Sequence, residues 1–387
     1  MTTLCLLGAS GSIGKQTLDV IEAFPGRFSL KSFSVGDRIH LIDGILSRHP
    51  EVTAITVKDA ALVEALKQKY PQIAFFSGDD GLIELLKHVP VAMVVNALVG
   101  FVGLAPTLYA LKHGLDVALA NKEALVVGGP LVKAAQEEGH SQLYPIDSEH
   151  VALDKLLAHE KRQAVRQLIL TASGGPLYRL GREELKHVTI EQALAHPTWS
   201  MGPKITIDSA TMMNKGFEII EAHYLFDFPI KDIEVWIHPT SKIHSMIQMV
   251  DGTLLADVGL NNMHIPIAYA LFKRKRVCLP FLKYEPTPET LGLLELRRVA
   301  PERFPALALA REAVAVGGTL PAVLNAANEV AVQAFLKSEL RFDQIEAVVE
   351  TLMHGHNVIL KPTLDDLIRT DYWARSRARQ LIKEWQV

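Results

Sequence analysis

Three groups of residues in this chain combine types and spacing that can do chemistry. The first is Asp147-Ser148-Glu149, two carboxylates flanking a hydroxyl at the end of an apolar stretch. Oxygen donors of this kind suit hard divalent ions such as magnesium or manganese. Without a cation two close carboxylates repel and raise a pKa. The same triplet also reads as a helix start, with Asp147 or Ser148 as the cap and Glu149 in the first turn. The second group is Asn214, Lys215 and Glu218, whose three- and four-residue spacings place them on one helical face. An amide, a cation and a carboxylate together can grip a phosphate and a metal, or form an ordinary surface Lys–Glu pair. Ser209, just upstream, is placed to cap that helix, to bind phosphate, or both. The third is Gly8-Ala9-Ser10-Gly11-Ser12-Ile13-Gly14, a glycine loop between an apolar strand and a helix. Such loops bring backbone N–H groups and a helix N-terminus up to a pyrophosphate.

Two further segments bear on the same chemistry. The second strand ends in Gly36-Asp37-Arg38. There an acid favours the free ribose hydroxyls of NAD and an arginine the 2′-phosphate of NADP; with both present we lean to NADPH. The stretch His196-Pro197-Thr198-Trp199-Ser200-Met201-Gly202-Pro203 is too irregular for a core element. It reads as a lid with Trp199 as an apolar cover that excludes water, or as a packed surface loop. His354 and His356 lack ligand spacing and read as structural.

The elements that position these groups follow from periodicity. Leu4–Leu7, Phe28–Val35, Val52–Val57, Ile73–Phe76, Val91–Asn96, Leu115–Ala120, Leu143–Ile146 and Leu168–Thr171 read as strands alternating with helices. That pattern implies a parallel sheet covered on both faces, with ligands beyond the carboxyl ends of its strands. Gly8–Ser12, Gly36–Arg38, Asn96-Ala97, Asn121-Lys122-Glu123, Asp147–Glu149 and Ser173–Gly175 all follow strands, so polar groups gather at one edge. From about Ile205 the order changes to a helix from Asp208 or Ser209 to Ala222. Strands Ile233–Ile237 and Ile243–Val250 come next, then a hairpin through Asp251-Gly252 into Leu254–Val258. Leu279–Pro288 reads as a linker, and the chain beyond Pro305 as a helical bundle.

With 387 residues, two or three domains are expected. A net charge of -3 offers no electrostatic case for nucleic acid or a membrane surface. Cys5 and Cys278 are expected to be separate thiols in a reducing compartment. With no secretory signal pattern and no membrane-length apolar run, a cytoplasmic location is expected. The run Lys273-Arg274-Lys275-Arg276 reads as a solvated helix end.

The motifs together resemble the 1-deoxy-D-xylulose 5-phosphate reductoisomerase family. The resemblance rests on Gly8–Gly14, Asn121-Lys122-Glu123, Asp147-Ser148-Glu149, Ser173-Gly174-Gly175-Pro176, His196–Gly202, Asp208–Glu218 (DSATMMNKGFE) and Pro321–Ala331 (PAVLNAANEVA), and spans essentially the whole chain. It implies an α/β fold: an N-terminal Rossmann-like NADPH domain (1–147), an α/β catalytic domain (148–276), a linker (277–298) and a C-terminal helical bundle (299–387). It also implies a homodimer of V-shaped subunits. The implied reaction is the NADPH- and metal-dependent conversion of a small sugar phosphate, 1-deoxy-D-xylulose 5-phosphate, to 2-C-methyl-D-erythritol 4-phosphate in non-mevalonate isoprenoid synthesis.

By the same resemblance Asp147, Glu149 and Glu218 would hold Mg2+ or Mn2+. Substrate would meet Lys122, Ser148, Glu149, Ser173, His196, Trp199, Ser209, Asn214, Lys215 and Glu218, with Lys122, Ser148, Glu149, His196 and Glu218 at the chemistry. The cofactor would meet Ser10, Gly11, Ser12, Ile13, Gly36, Arg38, Asn121, Glu123 and Gly202. The chain departs from the family pattern at Asp37-Arg38, at Asn261-Asn262-Met263-His264 (usually PDMR) and at Pro203 (often arginine). Two other functions compete: a related reductase of another sugar phosphate, and a non-catalytic nucleotide-sensing module.

Overall fold

The structure, a computed structural model, describes residues 1–199 and 201–386. The chain divides into two compact units: residues 1–124, 130–151 and 262–284 form the first, and residues 125–129, 152–261 and 285–387 the second.

The first unit is built on seven strands: β1 (Thr2–Leu7), β2 (Phe28–Val35), β3 (Ala54–Val57), β4 (Ala74–Ser77), β5 (Met93–Asn96), β6 (Asp116–Leu119) and β7 (Leu143–Pro145). Every pair is parallel and the order is β4-β3-β2-β1-β5-β6-β7. The order reverses between β1 and β5, and the glycine loop emerges from β1 at that crevice, where open α/β sheets take their ligands. Leu4, Leu6, Leu30, Met93, Val95 and Ala118 are fully buried, as near-continuous apolar strands must be when helices cover both faces. Each of these side chains larger than alanine contributes about 1.5–3 kcal/mol of burial.

Two glycines shape the loop. Gly8 has φ +88, and a Cβ there would meet the Ala97 carbonyl oxygen at 2.5 Å; one on Gly14 would meet the Gly8 carbonyl oxygen at 2.2 Å. The loop is tied to β2 through Gly8 N to Ser34 Oγ (2.9 Å) and Ala9 N to the Ser34 carbonyl (2.8 Å). The helix Ser12–Ala23 follows directly.

The second unit holds a mixed sheet of β8 (Val165–Ala172), β9 (Ile233–Ile237), β10 (Ile243–Met249), β11 (Leu254–Val258) and β12 (Arg297–Arg298), in the order β11-β10-β8-β9-β12. The strand expected at 168–171 is therefore β8, central to this second sheet, and does not extend the parallel one. The expected hairpin forms, with Gly252 at φ +92 and β10 antiparallel to β11. Beyond Pro305 the chain is helical: Pro305–Val316, Leu320–Leu336, Gln344–His354 and Leu364–Trp385. Their apolar faces share one core with Ile207, Met213 and Phe217.

The helix expected over Asp208–Ala222 is two helices, Pro203–Thr211 and Met213–Phe226, broken at Met212 with φ 64. Ser209 is thus inside the first helix and caps neither. The basic run is exposed just after the helix His264–Leu271, and two of its residues have partners. Lys273 pairs with Asp116 at 2.8 Å, and Arg274 lies over the Tyr144 ring at 4.9 Å. Both cysteines are free, Cys5 buried and Cys278 exposed. Among the described residues no helix is long and apolar enough to cross a membrane.

Candidate active site

In the first unit the predicted cofactor residues Ser10, Gly11, Ser12, Ile13, Gly36, Arg38, Asn121 and Glu123 stand at or just beyond strand ends. Arg38 Nη1 donates to the Ser10 carbonyl at 3.1 Å, linking the end of β2 to the glycine loop. Asn121 is buried at the end of β6. Its Nδ2 donates to the Leu98 and Gly100 carbonyls and to Glu123 Oε2, and its Oδ1 accepts from Ala124 N at 3.1 Å. The amide thereby caps the helix that begins at Lys122 and sets the direction in which Lys122 leaves the sheet.

Lys122 Nζ donates to Asp147 Oδ2 at 2.8 Å, with both side chains nearly buried (11% and 13% exposed). His150 Nδ1 lies 4.0 Å from the same oxygen. Burial pushes the Asp147 carboxyl up, but the Lys122 ammonium and the His150 ring outweigh it and hold it well below the usual carboxylate range. The Asp147 carbonyl accepts from Val151 N at 2.9 Å, so the helix-start reading is realised here while the carboxylate stays available for charge. Ser148 Oγ donates to Glu149 Oε2 at 2.6 Å. Sequence reasoning missed His150, although its position three residues after Asp147 on one helix face is a readable signal.

The second unit contains Ser173, His196, Trp199, Gly202, Ser209, Asn214, Lys215 and Glu218. Gly202, expected at the cofactor, is therefore carried by this unit, while the other cofactor candidates are in the first. Ser200 of the proposed lid lies outside the described residues. His196 Nδ1 accepts from the amides of Thr198 (3.2 Å) and Trp199 (3.0 Å). Those two donors place the imidazole proton on Nε2, which donates to Ser173 Oγ at 3.0 Å. Burial lowers the His196 pKa, in keeping with the neutral ring this pattern needs. Ser173 Oγ also accepts from Gly175 N at 3.1 Å, so its own hydrogen remains for a ligand.

Glu218, 1% exposed, accepts from Asn214 Nδ2 and Lys215 Nζ on one face of the helix Met213–Phe226. A buried carboxylate so paired is a structural commitment, unlike a surface Lys–Glu pair. Gly175 (φ +69) rests on the helix Pro203–Thr211; a Cβ there would meet the Ser209 carbonyl oxygen at 2.7 Å. This contact seats the Ser173–Gly175 loop beside Ser209. A third cluster had no signal beyond the Lys-x-x-x-Asp spacing. Asp208, 1% exposed, binds Lys204 Nζ at 2.7 Å and Asn328 Nδ2 at 2.9 Å. It fixes the helix bearing Ser209 to the helix Leu320–Leu336. His354 Nε2 lies 3.4 Å from Glu312 Oε1, and His356 Nε2 is hydrogen-bonded with Thr319 Oγ1 at 2.7 Å.

A glycine loop at the switch point of a seven-stranded parallel sheet defines a dinucleotide-binding α/β protein. Family models described as 1-deoxy-D-xylulose 5-phosphate reductoisomerase match residues 4–129, and those of its C-terminal domains match 143–226 and 258–377. The 1-deoxy-D-xylulose 5-phosphate reductoisomerase of Geobacillus sp. (strain WCH70) is 45% identical over 385 residues, covering 99% of this chain and 100% of that one. A solved DOX-P reductoisomerase in complex with NADPH, fosmidomycin and magnesium superposes with a TM-score of 0.90 at 34% identity, covering 99% of this chain and 98% of that one. The Zymomonas mobilis enzyme in complex with NADPH does so with a TM-score of 0.90 at 38% identity, covering 98% and 99%. The chain belongs to the 1-deoxy-D-xylulose 5-phosphate reductoisomerase family.

Proposed function

We propose that the residues assembled above carry the family's reaction in this chain. The chain is an enzyme that converts 1-deoxy-D-xylulose 5-phosphate to 2-C-methyl-D-erythritol 4-phosphate, a rearrangement followed by reduction, with NADPH and a divalent metal, in isoprenoid synthesis. Asp147, Glu149 and Glu218 are the residues that would hold Mg2+ or Mn2+. They fit such an ion, since all three are carboxylates and offer hard oxygen donors. The glycine loop residues Ser10, Gly11, Ser12 and Ile13, with Gly36, Arg38, Asn121, Glu123 and Gly202, would hold NADPH. When bound, the metal supplies a Lewis acid for the ketone oxygen and the dihydronicotinamide supplies hydride.

The single observation that carries the substrate end is the buried trio on one helix face, Glu218 holding Asn214 and Lys215 in alignment. Lys215, Asn214, Ser209 and Ser173 grip the phosphate, a non-reacting end whose binding keeps the reacting end in register. His196 fixes the rotor of Ser173, since its Nε2–H occupies an acceptor site on that hydroxyl and leaves the hydroxyl hydrogen for a phosphate oxygen. Lys122, beside Asp147, and Ser148 meet the reacting end, where the ammonium stabilises developing negative charge on oxygen. Trp199 covers the site and excludes water from the reacting fragments. The working assembly in this reading is a cytoplasmic homodimer. Each subunit carries an NADPH domain (1–147), a catalytic domain (148–276), a linker (277–298) and a helical domain (299–387).

The test is NADPH oxidation with 1-deoxy-D-xylulose 5-phosphate and Mg2+. Turnover that is abolished by chelator, and by Glu218→Gln with metal present, is expected. No turnover with substrate, NADPH and metal all supplied overturns the reading.

A further inference from the structure

An acid and a base stand side by side at the end of β2, and the end of β3 answers them. The two strands run in parallel register with Val35 opposite Val57, so Gly36-Asp37-Arg38 and Lys58 leave the sheet at one corner. Lys58 Nζ lies 3.5 Å from Asp37 Oδ2. Arg38 turns the other way, onto the Ser10 carbonyl of the glycine loop at 3.1 Å. Asp59 is occupied elsewhere, accepting from Ala61 N at 2.9 Å at the start of its own turn. This corner, the end of the second strand beside the glycine loop, is where a dinucleotide's adenosine ribose is recognised. A lone carboxylate there accepts the ribose hydroxyls and repels a 2′-phosphate, whereas an arginine accommodates the phosphate. Asp37 alone would select against the phosphate.

We propose that Lys58 is a specificity-determining residue of this chain. By pairing with Asp37 it cancels the carboxylate's repulsion of the 2′-phosphate and leaves Arg38 as the charge that phosphate meets. The inference rests on reading Gly8–Gly14 as a dinucleotide site. As a fold-stabilising ion pair Asp37–Lys58 counts for little, because both side chains are exposed. Its effect on a ligand is larger, since a 2′-phosphate beside the Asp37 carboxylate binds more weakly unless that charge is offset. One unit of charge a few ångströms from a phosphate carrying nearly two, in water, changes affinity by about tenfold.

The test measures binding to the full chain without turnover. Dissociation constants for NADPH and NADH are read from dihydronicotinamide fluorescence and checked by competition with 2′,5′-ADP and ADP. Lys58→Ala is expected to weaken NADPH and 2′,5′-ADP about tenfold while NADH and ADP change less than about twofold. Asp37→Ala combined with Lys58→Ala is expected to recover most of the NADPH affinity. A Lys58→Ala variant with an unchanged NADPH-to-NADH ratio overturns the inference, and so does a double variant as weak as Lys58→Ala. Wild-type protein that binds neither dinucleotide overturns the cofactor reading itself, and is recognised before any variant is made.

Discussion

Gly175→Ala tests whether the strand-end loop and the helix beneath it are one rigid platform for the phosphate. At φ +69 an alanine sits in the left-handed region, which costs about 1–2 kcal/mol. Its Cβ would stand 2.7 Å from the Ser209 carbonyl oxygen and 2.8 Å from Ala210 Cα. Both are helix backbone and cannot rotate away, so overpacking adds about 1–3 kcal/mol. The sum, about 2–5 kcal/mol, is a large share of the ~5–15 kcal/mol that holds a domain folded. Relief by moving the loop would carry Ser173 Oγ away from His196 Nε2, 3.0 Å distant, and from Ser209. A displacement near 1 Å among positioning groups costs up to about a hundredfold in kcat/KM. The assays are urea unfolding followed by far-UV circular dichroism, and steady-state NADPH oxidation across substrate concentration. Gly252→Ala is the control: φ is +92, but nothing lies within 4 Å of its Cβ, so backbone strain alone is expected, with KM unchanged. If Gly175→Ala is no more destabilising than Gly252→Ala and its KM is that of the wild type, the platform argument is refuted.

Two titrations complete the set. Glu346 is half-buried on the helix Gln344–His354, its Oε1 accepting from Ala306 N, and desolvation pushes its carboxyl from 4.5 up to about 7. A raised folded pKa means stability fully present below 4.5 and lost as pH rises through about 7. Glu346→Gln should therefore gain stability over wild type at pH 8.5, by no more than about 3 kcal/mol, and gain none at pH 4; equal midpoints in urea at both pH values would contradict this. His196 carries the opposite sign: burial lowers its pKa below 6.5, so the neutral ring is present above 6.5 and lost as pH falls through the folded value. Protonation puts a hydrogen on Nδ1 against the amides of Thr198 and Trp199, and KM for the sugar phosphate should climb on that acid limb. An identical acid limb of KM in His196→Gln would show that another group titrates.

Much of the fold and site is legible in the chain because it is local. Apolar runs marked the seven parallel strands, and a glycine loop directly after the first marked the switch-point site. Asp251-Gly252 marked its hairpin, and the spacing of Asn214, Lys215 and Glu218 foretold one helix face. Each depends on dihedral preferences or periodicity within a few residues. The family motifs were equally readable because they are contiguous.

What tertiary structure alone decided is partnership. Nothing within 168–171 says that this apolar strand pairs with β9 and β10 and not with β7, because any buried strand has the same composition. The break at Met212 was hidden, since a methionine in the left-handed region is held there by packing and not by preference. The pairing of Lys122 with Asp147, the bond from Asn328 to Asp208 and the seat of Gly175 on Ser209 join residues far apart in the chain. Charge type and glycine content marked these residues as capable; only the close packing of distant backbone segments chose which capable groups meet.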